Sequence, residues 1–465
     1  MTPLGTYLPA WGTPAGELAR AACAGAAFLV ILVIAELWQR RFAPPVEWTR
    51  KFVHFAGGIV IATFPWAFST HWSVLGLGVA MFAIFAVGRR AGMLRSVTGV
   101  ERPSAGERWY PAGVYLLFVV ARHEPVLWLI ALSSLVVSDT AAALLGGAYG
   151  KHTFYAARDR KSIEGSAAFF AATFFGVHLT LLLLTPIERG ASVLIAFQIA
   201  LLVTSFEAIS LRGNDNLIVP LVTYYLLVKM IPKPASSIGF QLLVQLAILG
   251  AMLLVAWRTR VLSWAGALAA HLAIYAAFSL GGPAWSVAPV AALSGFVVLD
   301  RRVAADGGRH QVEAVFWISI VGVAMIFLDN TFAILVPRGH PLGAGHPFAV
   351  PYVGALAAPA TILADQYLRL RRSAWSRPVA AALAVGAGWL LVAPASLAAG
   401  GIMTVRAGAI VAAMCATAAP LYIATRRIVR RRSETGDLRL LGLAVALAVA
   451  AWTMVHLRAF VKGES

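Results

Sequence analysis

Apolar residues run along this chain in blocks of about twenty, broken by short polar or arginine-rich stretches, from near one end to near the other. At about 1.5 Å rise per residue, a helical block of that length crosses the hydrocarbon core of a bilayer. The pattern predicts helical segments at 21–38, 52–68, 72–88, 108–122, 126–148, 163–184, 191–210 and 217–233 in the first half. In the second half it predicts 238–256, 261–280, 284–300, 312–335, 348–368, 378–397, 403–424 and 440–457. The expected fold is all-α and polytopic, with about 16 membrane segments, because backbone polar groups in lipid must be satisfied within the segment.

Charge follows the same blocks. Of 465 residues, 60% are hydrophobic and 12% charged. A soluble globular chain carries about twice that charged share. Arg40, Arg41, Arg50 and Lys51 close one end of the first break; Arg89–Arg108, Lys151–Lys161, Arg258/Arg260, Arg301/Arg302/Arg309, Arg369–Arg377 and Arg426–Arg432 follow at alternate ends. This is the positive-inside pattern, and it sets the N-terminus outside with the basic loops cytoplasmic. The net charge of +18 therefore points to anionic phospholipid headgroups and not to nucleic acid. Cys23 and Cys415 both lie in apolar runs, which indicates neither a disulfide framework nor a metal cluster. No basic stretch precedes the first apolar run, so a retained helix is expected in place of a cleavable signal. A bacterial inner membrane is the expected location.

Polar residues gather at three places on the expected inner side, all in the first half. One is Arg50-Lys51-Phe-Val-His54-Phe-Ala-Gly57-Gly58, where Arg50 and His54, four apart, share a helix face. Taken alone, Arg50 is also what interfacial snorkelling would place. The next begins at Asp139, set deep enough in an apolar segment that ionisation requires a partner or a polar cavity. Gly146, Gly147, Gly150 and Lys151 follow; such glycines allow close approach to a phosphate, and equally allow close helix packing. Lys161-Ser162-Ile-Glu164-Gly165-Ser166 then opens a helix. Ser162 suits its N-cap, the free N–H groups suit an anion, and Glu164 suits either a capping role or a divalent ion. The third place runs from Glu207 to Pro220 and holds the Arg212–Asn216 turn "RGNDN", with Asp215 as a further carboxylate and Asn214 and Asn216 as amides. Cations, carboxylates and anion sites on one membrane side are what phosphoryl transfer uses. The residues alone do not choose the nucleotide.

Arg50-Lys51-x-x-His54, Asp139-Thr140-x-Ala142 with Gly146 and Gly150-Lys151, Lys161-Ser162-x-Glu164-Gly165-Ser166, and Glu207 with Asp215-Asn216-x-x-x-Pro220 together resemble the polyprenol-kinase family of phytol and dolichol kinases. "GNDNLIVPL" looks most like the phytol-kinase branch. The resemblance implies transfer of the terminal phosphoryl group of CTP, with Mg²⁺, to an isoprenoid alcohol such as phytol or geranylgeraniol at the cytoplasmic face. It implies catalytic roles for Asp139, Lys161, Glu164 and Asp215. Metal-binding roles fall to Asp139, Glu164, Glu207 and Asp215. Nucleotide or phosphate binding falls to Arg50, Lys51, His54, Gly146, Gly150, Lys151, Ser162, Gly165, Ser166, Asn214 and Asn216. A similar order of motifs marks the CDP-diacylglycerol synthases, whose terminal "Lys-Asp…Pro-Gly-His-Gly-Gly…Asp-Arg" region is absent here. A cytidylyltransferase acting on a lipid phosphate is one alternative, and a carrier for a phosphorylated lipid or anion is another.

A soft boundary near Lys233–Ser237 divides the chain into an expected catalytic domain, 1–236, and a second membrane domain, 237–465. Ser263–Phe278 and Arg309–Ala324 resemble a separate membrane family that contains phytyl-phosphate kinases. Of that family's Asp-Thr…Ser-Glu motif only Ala364-Asp365-Gln366 remains. The second half is expected to be a degenerate partner or a scaffold for the lipid path.

Overall fold

A computed structural model describes residues 14–98, 106–156, 159–210, 213–303, 312–335, 346–370, 383–390, 392, 405–428 and 434–461. Arg102, Arg212, Arg309, Arg371, Arg372, Arg377 and Arg430–Arg432, all part of expected basic loops or turns, lie outside these residues. So does most of the expected 378–397 segment, of which 383–390 is helical.

Besides the single turns Phe64–Ala67 and Arg95–Thr98, the helices of the first half are α1 (Pro14–Phe42), α2 (Val46–Ala62), α3 (His71–Arg90), α4 (Gly106–Ala121), α5 (Pro125–Tyr149), α6 (Ile163–Leu184), α7 (Arg189–Ile209) and α8 (Asp215–Met230). After them come α9 (Ala235–Thr259), α10 (Trp264–Gly281), α11 (Pro283–Val303), α12 (Val312–Leu335), α13 (Ala349–Leu370), α14 (Val405–Ile428) and α15 (Glu434–Val461). The protein is an all-α polytopic membrane protein: ten of the described helices are long and apolar enough to cross a bilayer. Among the labelled helices of the first half, α2 with 17 residues and α4 and α8 with 16 each fall short of that length. The chain divides into two compact units, Met1–Leu242 and Leu243–Ser465.

One departure from the all-helical reading sits where a basic loop was expected. Thr153–Ala156 (β1) pairs antiparallel with Asp159–Ser162 (β2), Phe154 opposite Lys161 and Thr153 opposite Ser162. Thr-Phe-Tyr is a β-prone run, and a short hairpin satisfies its backbone groups between two helices.

Unit 1 packs around Phe118, Leu117, Trp128 and Leu135, all essentially inaccessible. Trp128 meets Phe118 edge-on at 5.9 Å. Helix α6 turns Phe169, Thr173, Val177 and Leu181 inward, a spacing of four that keeps one stripe buried. In unit 2 the core is formed by α13, α14 and α15 through Val353, Leu356, Met414, Cys415 and Val445. Cys415 is buried there as a free thiol, and Cys23 is free and exposed on α1.

Candidate functional site

Helix α5 is continuous from Pro125 to Tyr149, but Ser134–Ser138 winds as a π-helix. Such a turn carries one extra residue and re-aims the side chains that follow it. Asp139 is the first residue past it. Helix α2 approaches this stretch closely: a Cβ at Gly58 would lie 2.5 Å from both methyl groups of Val136. Only a glycine admits that approach. It brings Lys51, buried two turns earlier on the same helix face, onto Asp139, where the ammonium donates to Oδ2. His54 Nε2 is 3.5 Å from the same oxygen and 3.0 Å from the Leu135 carbonyl oxygen. A carbonyl only accepts, so Nε2 carries the proton of that bond. From α4, the Tyr110 ring packs 4.6 Å from the His54 ring, and its hydroxyl donates to the His54 carbonyl at 3.3 Å.

A second pair is built by the hairpin. Lys161 on β2 reaches α7, where Nζ donates to Glu207 Oε1 at 2.7 Å, to Ser210 Oγ at 2.8 Å and to the Glu207 carbonyl. Burial alone would lower the Lys161 ammonium, but the adjacent Glu207 carboxylate outweighs it and holds Lys161 above the usual lysine range. Glu207 is buried, and its other carboxylate oxygen, Oε2, has no hydrogen-bond partner.

The two pairs share one electrostatic neighbourhood. Asp139 and Asp215 both act on Lys161 and on Arg50. Arg50 donates through Nε to Glu47 at 3.0 Å. Asp215 stands at the start of α8, whose Asn216 is buried against α4: a Cβ at Gly113 would meet the Asn216 backbone. Among the described residues, Arg50, Lys51 and Lys161 thus lie with Glu47, Asp139, Glu207 and Asp215 on α2, α5, β2, α7 and α8.

Other expected residues take different places. Glu164 is engaged by the hairpin: it accepts from the His152 backbone N–H at 3.1 Å and lies 2.8 Å from His152 Nδ1. Ser162 caps α6, accepting from the Gly165 N–H at 3.1 Å. Gly146, Gly150 and Gly165 form a seam around that cap. A Cβ at Gly146 or Gly165 would lie 3.0 Å from Ser162 Oγ, and one at Gly150 2.9 Å. Lys151 is exposed, Ser166 is half-buried one turn into α6, and Asn214 precedes α8 with its carbonyl accepting from Leu217 and Ile218. Among the described residues no three histidine, cysteine, aspartate or glutamate side chains gather as a ready-made metal cage. Four contributors escaped the sequence reading. Glu47 was legible three residues before Arg50, and Ser210 three after Glu207. Tyr110 and His152 come in only through tertiary packing.

The fold and site define an integral membrane protein with an ion-paired, carboxylate-rich polar centre enclosed by helices. A phytol kinase of Synechocystis sp. is 30% identical to this chain over 193 residues, 41% of this chain and 82% of that protein. The chain belongs to the phytol-kinase family. No protein-family model matches it, and no solved structure matches it.

Proposed function

We propose that the protein phosphorylates an isoprenoid alcohol of the phytol class, taking the terminal phosphoryl group of a nucleoside triphosphate, with CTP the favoured donor. The observation that carries this reading is the convergence of Lys51–Asp139 and Lys161–Glu207 with Arg50 and Asp215 in one partly buried neighbourhood, in a chain of this family. In the reaction the alcohol oxygen bonds to the terminal phosphorus as the bridging P–O bond breaks. The alcohol proton is released, and an alkyl phosphate and a nucleoside diphosphate leave.

The lysines and Arg50 supply charge for the phosphates, and the carboxylates keep those cations in place before the nucleotide arrives. Because each of the two lysines is already paired with a carboxylate, much of a triphosphate's charge would stay unneutralised. The residues therefore fit a magnesium ion entering with the nucleotide, since Mg²⁺ is commonly held by one or two carboxylates plus phosphate oxygens and not by an all-protein cage. Asp139 and Asp215, which share the neighbourhood of Arg50 and Lys161, are proposed to hold it. When bound, it neutralises charge on the transferring phosphate. Asn214 and Lys151 are proposed to act at the rim, on the incoming nucleotide, and Glu164 to hold the hairpin that carries Lys161 through its tie to His152. The basic breaks Arg40/Arg41, Arg89/Arg90 and Arg258/Arg260 support a cytoplasmic site, and a bacterial inner membrane is the proposed location.

The test uses the purified full-length protein with γ-labelled CTP or ATP, magnesium, and phytol, geranylgeraniol or a longer polyprenol. Label in an organic-soluble monophosphate, lost on chelation of magnesium, is the expected result. Absence of labelled lipid with every alcohol, together with pyrophosphate release from CTP and phosphatidate, would replace the kinase by a cytidylyltransferase.

A further inference from the structure

Threonines inside the helices of this protein usually return their hydroxyls to their own backbone. Thr140 donates to the Val136 carbonyl at 2.6 Å, Thr223 to Val219 at 2.8 Å, Thr259 to Val255 at 2.6 Å, Thr425 to Leu421 at 2.9 Å and Thr453 to Val449 at 2.6 Å. Thr204 on α7 departs from this habit. Its hydroxyl oxygen is out of solvent and has no hydrogen-bond partner. Three residues on, Glu207 Oε2 is equally buried and equally unpartnered. Positions three apart share a helix face, separated by about 4.5 Å along the axis. A buried polar atom left without a partner costs free energy, and two on one face mark a place where a polar group is missing.

The same face continues into an aromatic lane. Phe197 is seven residues before Thr204, two turns along the helix, and so lies almost directly in line with it. Its ring meets Phe170 at 5.3 Å and Phe174 at 6.4 Å on α6. All three rings are half-buried. Lys161 beside Glu207, and Phe170 beside Phe197, show that α6 and α7 run antiparallel with a constant offset. The order along the seam is therefore the charged pair, then the Thr204 hydroxyl, then the phenylalanines. Polar atoms at one end and an apolar, half-exposed aromatic lane behind them match a molecule with one hydroxyl and a long hydrocarbon chain.

We infer that the α6–α7 seam is the acceptor site, an inference that rests on the kinase reading. The hydroxyl of the isoprenoid alcohol sits between Thr204 and Glu207, donating to Glu207 Oε2 and accepting from Thr204, and the chain lies along Phe197, Phe170 and Phe174. Thr204 is a positioning residue: it holds the nucleophilic oxygen beside the charged pair and leaves the nucleotide to the cations and carboxylates.

The experiment compares wild-type protein with Thr204→Val, Thr204→Ser and Phe197→Ala in mixed micelles. Thr204→Val is expected to raise KM for phytol about five- to tenfold, the worth of one hydrogen bond, with nucleotide KM moving by less than about twofold. Thr204→Ser restores the phytol KM. Phe197→Ala raises KM for phytol but not for a short isoprenoid alcohol that ends before the lane. An unchanged phytol KM in Thr204→Val, or equal changes for alcohol and nucleotide, overturns the assignment. In parallel, a diazirine-bearing isoprenoid alcohol is photo-crosslinked to wild-type protein without nucleotide and the adducts mapped by mass spectrometry. Adducts on Phe170, Phe174 or Phe197 support the lane, and adducts confined to other helices overturn it. This arm reads the seam even where wild-type protein phosphorylates no alcohol, an outcome that would fell the kinase reading instead.

Discussion

Lys161 and Lys51 are stable among the helices because each meets a carboxylate, and removing one member of a buried pair strands the other. Breaking such a pair costs about 3–5 kcal/mol, whereas replacing both members by apolar residues is often nearly neutral. Lys161→Met is therefore expected to lower the thermal unfolding temperature in detergent, and Lys161→Met with Glu207→Leu to recover most of it. Turnover should stay lost in both, because the double variant restores packing without the charges. A single variant that melts like the wild type would show that the pair carries no structural charge balance. The pH sign is fixed by direction. With Lys161 held above its ordinary 10.5, its stabilising charge is fully present below that value and is lost only as pH rises through the still higher folded value. Lys161 therefore contributes no step to an activity profile between about pH 6 and 9.

At the level of elements, the hairpin and one turn of unit 2 carry separate predictions. His152 and Glu164 tie β1 to the start of α6, and the same hairpin delivers Lys161. If Glu164 serves through this tie, Glu164→Ala and His152→Ala lower turnover to a similar extent. Loss in Glu164→Ala with His152→Ala unaffected would instead put the carboxylate on the nucleotide. In unit 2, Asp329 near the end of α12 accepts the Phe348 N–H at 2.9 Å and lies 2.8 Å from His346 Nδ1. The bond to Asp329 raises His346 above its ordinary 6.5. The pair's contribution is thus complete below about pH 6.5 and lost as pH rises through the folded value. His346 is 59% exposed, which screens the gain, so the expected fall in unfolding temperature from acidic to alkaline buffer is small. His346→Ala should abolish it, and a slope that persists in that variant would assign it elsewhere. The helices themselves were legible, because apolar blocks of spanning length separated by charge admit few other structures. The π-turn at Ser134–Ser138 was not, since its apolar pattern runs on without a break. The hairpin was hidden because the charges of Lys151–Lys161 read as a loop and outweighed the β-prone Thr153-Phe154-Tyr155.

Over the whole molecule, the sequence marked the polar centre by one signal, ionisable residues within apolar runs, and that signal has a limit. It found Asp139 and Glu207 because burial makes a lone charge conspicuous, and it found Lys51 and Lys161 because each stands in a polar stretch at the inner start of a helix. It could not pair them: the closeness of Lys51 to Asp139 depends on Gly58 meeting Val136, and that of Lys161 to Glu207 on the hairpin register. The two units also differ in what their buried charges face. In unit 1 the carboxylates face cations across helices. In unit 2, Asp329 engages a turn and Asp365 is buried on α13, in the same unit as an alanine-rich core. A scaffold role for unit 2 follows as a proposal with a definite consequence. Asp365→Asn keeps the shape of the side chain and removes its charge, so if unit 2 only supports the fold, phytol phosphorylation should stay within about twofold of wild type. Chromatography of the product formed from labelled phytol should show a monophosphate alone. A diphosphate that disappears in Asp365→Asn would instead make unit 2 a second catalytic centre, acting on the product of the first.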